Sequence, residues 1–132
     1  MNYSDWLEGV PAQIKEDPLW GIEVYRKSLF FADVAWQDCE AMLAHELGKP
    51  IAWQLIRSAG SISANMEEGY GRGFGKDYAR FLRIALGSAR ESRGWYHRGS
   101  RLLKPEVVMH RMELLQNIIG GLVVMSKQQA SR

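Results

Sequence analysis

Four glycines at every other position, Gly69, Gly71, Gly73 and Gly75, break this chain near its middle, and helical patterns run into and out of the break. Before it, Ile62, Met66 and Tyr70 recur at i, i+4 and i+8, one face of a helical period. After it, a new helical pattern begins at Lys76. Glycine ends a helix by admitting left-handed dihedrals. The run from Ser61 to Lys76, SISANMEEGYGRGFGK, therefore reads as a hairpin between two helices. Glu67 and Glu68 stand before the bend; Arg72 and Lys76 stand in and after it. The hairpin sets an architecture. It carries no catalytic constellation, and none occurs elsewhere in the chain.

The remaining apolar patterns extend that architecture. From Trp20 to about Ala44, the residues Ile22, Tyr25, Leu29, Ala32, Trp36, Cys39 and Leu43 alternate by three and four. They predict an amphipathic helix with Trp36 and Cys39 in the core. Val24, Phe31, Val34, Ala35 and Met42 widen the stripe enough to meet more than one neighbour. Gly48-Lys49-Pro50 is the first clear break. A second helix is expected from about Pro50 to Glu68, on Ala52, Leu55, Ile56, Ala59, Ile62, Ser63 and Met66. A third runs from Lys76 to Leu103 on Tyr78, Phe81, Leu82, Ala85, Leu86, Ala89, Ser92 and Tyr96, until Lys104-Pro105 stops it. A fourth runs from Glu106 to Ser126 on Val108, Met112, Leu115, Ile119 and Leu122. No segment alternates with period two, so no sheet is expected. The fold class is all-α, an antiparallel up-down-up-down four-helix bundle over residues 19–126. Residues 1–18 form a loose N-terminal arm with one helical turn at Asp5 to Gly9, and residues 127–132 a frayed tail. Asp17 before Pro18 has the look of an N-cap followed by a first-turn proline.

One chain of 132 residues is one domain of ordinary apolar content, which excludes disorder. The single cysteine, Cys39, forms no internal disulfide and fits a reducing cytosol. The N-terminus has no secretion signal. No apolar stretch approaches the roughly 20 residues that span a bilayer, so no membrane partner is expected. The charge is lopsided. Residues 1–71 hold five Lys/Arg and eleven Asp/Glu, net −6; residues 72–104 hold nine Lys/Arg against Asp77 and Glu91, net +7. A basic third of this kind meets either a polyanion or the acidic half of another copy.

The run SISANMEEGYGRGFGKDYARFLRIALGSARE resembles the signature of the four-helix bundle family encoded by intervening sequences in bacterial 23S ribosomal RNA genes. The positions that carry the likeness are Ser61, Asn65, Glu68, Gly69, Tyr70 and Arg72, then Phe81, Leu82, Ala85, Gly87, Ser88 and Glu91. The match is specific over residues 50–101 and diffuse elsewhere. That family is similar in turn to the accessory protein of diversity-generating retroelements, a basic pentameric barrel that binds reverse transcriptase and nucleic acid. The resemblance implies a bacterial cytoplasmic protein, a ring-like homopentamer, and no established catalytic residue. Two positions depart from the pattern. Met66 replaces a β-branched residue, and Gly75 replaces a serine that caps the third helix, a change expected to weaken the cap by only tenths of a kcal/mol.

Four groups of residues are candidates for function. On the third helix, positions 76, 80, 83, 87, 90, 94, 97 and 101 read Lys, Arg, Arg, Gly, Arg, Gly, His, Arg, one face opposite the apolar stripe with no acid on it. A solvated face ordinarily mixes signs. Arginine favours bidentate phosphate contacts, and each glycine costs about 1 kcal/mol relative to alanine, which a close-approaching partner would explain. The nucleic-acid-binding candidates are therefore Arg72, Lys76, Arg80, Arg83, Arg90 and Arg101. Docking on an acidic protein surface is the alternative. Next, the glycine-rich turn is not a P-loop: Tyr70 stands where its first glycine belongs, Asp77 where its Ser or Thr belongs, and no strand precedes it. Asn65, Glu68, Gly69 and Arg72 form a structural signature, with Glu68 and Arg72 spaced for an ion pair and Asn65 placed to bridge the second and third helices. Last, Trp53 shares a face of the second helix with Arg57, Gly60 and Ala64, which suits a subunit contact; burial under the N-terminal arm is the simpler account.

Metal and cofactor chemistry is not expected. No Glu stands three residues before His45, His97 or His110, as a di-iron bundle requires. Glu106 and His110 read as a surface pair. The sequence thus supports a non-enzymatic, oligomeric protein that binds RNA or DNA as an accessory factor, and the resemblance implies a protein partner such as a reverse transcriptase. The alternative is a structural protein–protein interaction module with no nucleic-acid role.

Overall fold

Each apolar stripe forms a helix, and prolines mark several of the starts. The computed structural model describes residues 1–132 and contains no strand. Six α-helices follow in order: α1 (Tyr3–Gly9), α2 (Ala12–Lys15), α3 (Glu23–Leu43), α4 (Lys49–Tyr70), α5 (Lys76–Arg98) and α6 (Pro105–Ala130). Pro50 and Pro105 sit in the first turns of α4 and α6, where a missing N–H costs nothing. Asp17 caps a short 3₁₀ turn, Pro18–Gly21, by accepting from the Leu19 N–H at 2.9 Å. The first long helix therefore begins at Glu23 rather than Trp20.

The four long helices pack around one core. α4 lies against α3 and α5, α5 against α6, and α6 against α3. Their inner sides supply Phe31, Ala35 and Met42; Leu55, Ala59, Ile62 and Met66; Leu82, Ala85, Ala89 and Tyr96; and Leu115, Ile118 and Leu122, all fully buried. Each large member is worth roughly 1.5–3 kcal/mol of burial.

The α4–α5 seam is the most extensive helix contact. Gly69 is buried there, and a Cβ built on it would lie 2.6 Å from Phe81 Cβ and 3.0 Å from Tyr78 Cδ1. Gly69 thus permits close approach of two helices; it does not end one, because α4 continues to Tyr70. Two hydroxyl pairs cross the seam: Ser58 with Ser92 at 2.8 Å, and Ser88 donating to Ser61 at 3.0 Å. Of the alternate glycines, only Gly73 (φ 97°) and Gly75 (φ 87°) take positive φ. At Gly75 the dihedrals, with ψ −144°, are open to glycine and strained for serine. The glycine there is a requirement of the turn, not a slightly poorer cap. Its N–H donates to Gln129 Oε1 at 3.0 Å, which ties the turn to the end of α6.

A charged group lies inside. Asp38 of α3 is buried and accepts from Arg111 Nε at 2.7 Å, from Arg111 Nη2 at 3.2 Å and from the Tyr96 hydroxyl. Burial first, then the Asp38 charge, pushes the Tyr96 phenol far above its usual range, so it stays a donor. This network joins α3, α5 and α6.

Five further expectations change. Trp36 is 61% exposed, because the inward line of α3 is Ser28, Phe31, Ala35, Asp38 and Met42, and Trp36 sits one residue, about 100°, away from it. Arm residues 1–18 are ordered: the rings of Tyr3 and Trp6 pack on Phe30, and Trp6 Nε1 donates to Asp33 at 2.7 Å. The tail is helical to Ala130. The third helix stops at Arg98, because Gly99 is buried against Met42 and Ile51, and a 3₁₀ turn, Ser100–Leu102, follows. Finally, α6 is long and apolar enough by length and composition to cross a membrane. Its polar residues interrupt every run, but apolar side chains occur on both of its sides, so its mean is high. Leu115, Ile118 and Leu122 bury one side of it in the core, while Met109 on the other side is 65% exposed.

Removing Arg111 leaves Asp38 buried and unpaired. Arg111→Ala is expected to destabilise the fold by about 3–5 kcal/mol, read as a lower urea midpoint. A midpoint within error of the parent would mean that water or another group satisfies Asp38.

Candidate nucleic-acid interface

The inward side of α5 is committed to Tyr78, Leu82, Ala85, Ala89, Ser92 and Tyr96, all buried. The helical period then turns Lys76, Arg80, Arg83, Gly87, Arg90 and His97 outward, and all are exposed. From Lys76 to Arg90 this side spans about 21 Å at 1.5 Å per residue. Lys76, Arg83 and Arg90 make no ion pair within the chain, nor does the neighbouring Arg93. Arg80 is partly engaged, 3.1 Å from Asp77 and stacked over Phe81 at 4.4 Å. Arg72 reaches the same ring from the turn, at 5.3 Å, while pairing with Glu68 at 2.8 Å. Hydrogen bonding to Glu68 raises its pKa further, so it is always charged. Arg101 does not share this side. It lies in the 3₁₀ turn beyond α5, bordering a shallow hollow with Pro105, Val108, Met109 and Met112.

The helix interior of this side carries a glycine that the chain itself does not explain. A Cβ on Gly87 would meet nothing within 4 Å. On Gly94 it would meet only the flexible end of Arg98, at 2.8 Å.

Of the signature residues, Gly69 lies in the α4–α5 seam, while Glu68 and Arg72 are exposed. Asn65 does not cross to α5; its Nδ2 donates to the Ser61 carbonyl at 2.8 Å and the Ser61 hydroxyl at 2.9 Å. Ser61 makes the crossing, through Ser88, and Asn65 fixes its orientation. Glu68 and Arg72 form the expected ion pair. Glu91 pairs with Arg57 of α4 and accepts from Trp95 Nε1 at 2.9 Å.

Two exposed aromatic features stand apart from that seam. Phe74, in the turn before α5, is 70% exposed, and Arg132 lies 4.5 Å from its ring centre. On the α3–α4 side, Trp53 is 64% exposed and faces Trp36 across a hollow of about 130 Å³, walled by Leu43, Ala52 and Ile56 with Glu40 at its edge. The arm covers α3 through Trp6 and leaves Trp53 open, so Trp53 is not buried under the arm. Cys39 is the floor of this hollow. Its thiol donates to the Ala52 carbonyl at 3.3 Å, and burial, with the Asp38 charge, pushes its pKa up to about 12, so it is a poor nucleophile. His110 does not pair with Glu106. It stacks edge-on against Phe30 and contacts Arg111 Nη1 at 2.7 Å, and burial lowers its pKa. No three His, Cys, Asp or Glu side chains gather in one place.

A family model described as 23S rRNA-intervening sequence protein matches residues 21–121. No curated protein matches the chain. Among solved structures, the chain is similar to a protein of unknown function from the S23 ribosomal protein family of Bacteroides thetaiotaomicron. The two share 25% identity and a TM-score of 0.74 over 79% of this chain and 98% of that one.

Because a Cβ at Gly87 meets open space, Gly87→Ala is expected to raise stability by up to about 1 kcal/mol through helix propensity, measured as a higher urea midpoint. A lower midpoint would mean that another chain lies against this side of α5.

Proposed function

As the chain belongs to the family of 23S rRNA-intervening sequence proteins, we propose that it is a non-enzymatic, oligomeric accessory protein that binds nucleic acid through the outward side of α5. The carrying observation is the row Lys76, Arg83, Arg90 and Arg93, exposed and without an acid partner in the chain. Unpaired arginines on one rigid helix suit a phosphate backbone, which their forked donors grip two oxygens at a time. Contact with phosphates gives largely sequence-independent binding.

The reading takes the four long helices as an antiparallel up-down-up-down bundle, which their short connections support. It takes the assembly as a homopentameric ring. Trp36, Leu43 and Trp53 leave an apolar groove on the α3–α4 side, and Met109 and Val124 leave apolar surface on the outer side of α6. A groove and an outer side placed apart on one chain suit a head-to-tail contact, which closes into a ring when the rotation between copies closes. That arrangement leaves α5 free.

The test is fluorescence anisotropy with labelled RNA and DNA across a salt series. Affinity is expected to fall with a log–log slope near −0.9 per phosphate contact for duplex DNA. Arg83→Glu with Arg90→Glu is expected to weaken binding and flatten the slope while the helical circular dichroism is unchanged. A folded, oligomeric double variant that binds like the parent contradicts the reading.

The tryptophan groove favours a second reading, a protein–protein interaction module in a cytoplasmic complex, with a partner such as a reverse transcriptase. Light scattering on a sizing column separates the two. A ring predicts a multimer that Trp36→Glu with Trp53→Glu breaks into 15 kDa chains. A parent that is monomeric at micromolar concentration leaves the groove to a different protein.

A further inference from the structure

The turn at the start of α5 holds more than cations. We propose that it is a single-strand site, in which an unpaired nucleobase stacks on Phe74 while its flanking phosphates run onto the cations of α5. This rests on the nucleic-acid reading above and names its substrate class: single-stranded RNA or DNA.

Phe74 is an apolar ring that the fold holds in water. It is 70% exposed, at the outer edge of a turn, where burying it against the chain's own core was open to the sequence. The turn is fixed rather than loose. Gly73 and Gly75 supply the two positive-φ residues that shape it, and Gln129 holds the Gly75 N–H. Tyr70 and Tyr78 pack edge to face beneath it, with ring centres 6.0 Å apart. Arg132 lies over the Phe74 ring at 4.5 Å, and the ring stays 70% exposed.

One cation touches the ring, and others stand on the same turn and the start of α5. Arg132 is over it and Lys76 follows it by two residues. Arg72, on the same turn, and Arg80, near the start of α5, stack on Phe81. The two acids here, Glu68 and Asp77, hold Arg72 and Arg80 in place and leave Lys76 without a partner. An exposed ring among cations is the arrangement that sequence-tolerant single-strand proteins use: the base stacks, the backbone is neutralised. The continuity with α5 decides between strand types. A duplex following the α5 row keeps its bases paired and offers no ring face to Phe74. A single strand following the same row can turn one base out at the tip.

The experiment compares three labelled probes, a ten-nucleotide uridine RNA, a ten-nucleotide thymidine DNA and a DNA duplex, on the full chain with Phe74→Ala and Phe74→Trp. The ring is exposed, so both variants are expected to fold, checked by circular dichroism. Phe74→Ala is expected to weaken the single-stranded probes at least about fivefold, the lower end for loss of one base stack. Phe74→Trp is expected to keep or tighten that binding, and duplex affinity is expected to stay unchanged in both. Unchanged single-strand affinity in Phe74→Ala overturns this proposal, and if the Arg83/Arg90 double variant still loses binding, the α5 reading survives alone. Equal loss for single strand and duplex also overturns it, since stacking on an unpaired base would not weaken a duplex. A parent that binds no probe overturns both readings.

Discussion

The close approach of α4 to α5 is the constraint on which the rest depends. It exists because Gly69 has no side chain to hold Phe81 and Tyr78 away. Once the helices touch there, Ser58 and Ser61 can reach Ser92 and Ser88, and buried hydroxyls find partners. The seam sets the rotation of α5 about its axis. With Phe81, Ser88 and Ser92 turned to α4 and Leu82 and Ala85 turned to the core, the helical period leaves only one direction for Lys76, Arg83 and Arg90. The cationic side is therefore a consequence of the seam, which the signature residues Ser61, Gly69, Phe81 and Ser88 build.

The Asp38 network does for α3 and α6 what the seam does for α4 and α5. A buried carboxylate with both a guanidinium and a phenol is satisfied only in one arrangement of three helices. Such a network adds little net stability compared with apolar packing, but losing one member is costly. Here it fixes which side of α3 faces inward. In doing so it turns Trp36 outward, beside Trp53, and creates the apolar groove.

How far the sequence foretold this follows from the same two features. Helix periods were legible wherever the buried line was apolar, as on α4 and α5, and the Glu68–Arg72 pair followed from spacing alone. On α3 the buried line includes Ser28 and Asp38, so it looked polar, and the neighbouring line through Leu29, Trp36 and Leu43 looked like the core. A buried charge becomes visible only when its partner, Arg111, seventy-three residues away, is placed beside it. The turn was legible as a break but not in its parts: positive φ at Gly73 and Gly75 and the open ring of Phe74 depend on an anchor from the far end of the chain, Gln129. Arg101 left the α5 row because Gly99 packs on Met42 and Ile51, contacts that no local pattern encodes.

The central claim is that nucleic acid meets this protein along the outer side of α5 and the turn that precedes it. Photo-crosslinking of a 4-thiouridine-substituted single-stranded RNA to the parent protein, with the crosslinked peptides identified by mass spectrometry, tests it most directly. The account predicts crosslinks within residues 72–98, with Phe74 among them, and none on Trp36 or Trp53. Crosslinks concentrated at the tryptophan groove, with residues 72–98 unmodified, would contradict it.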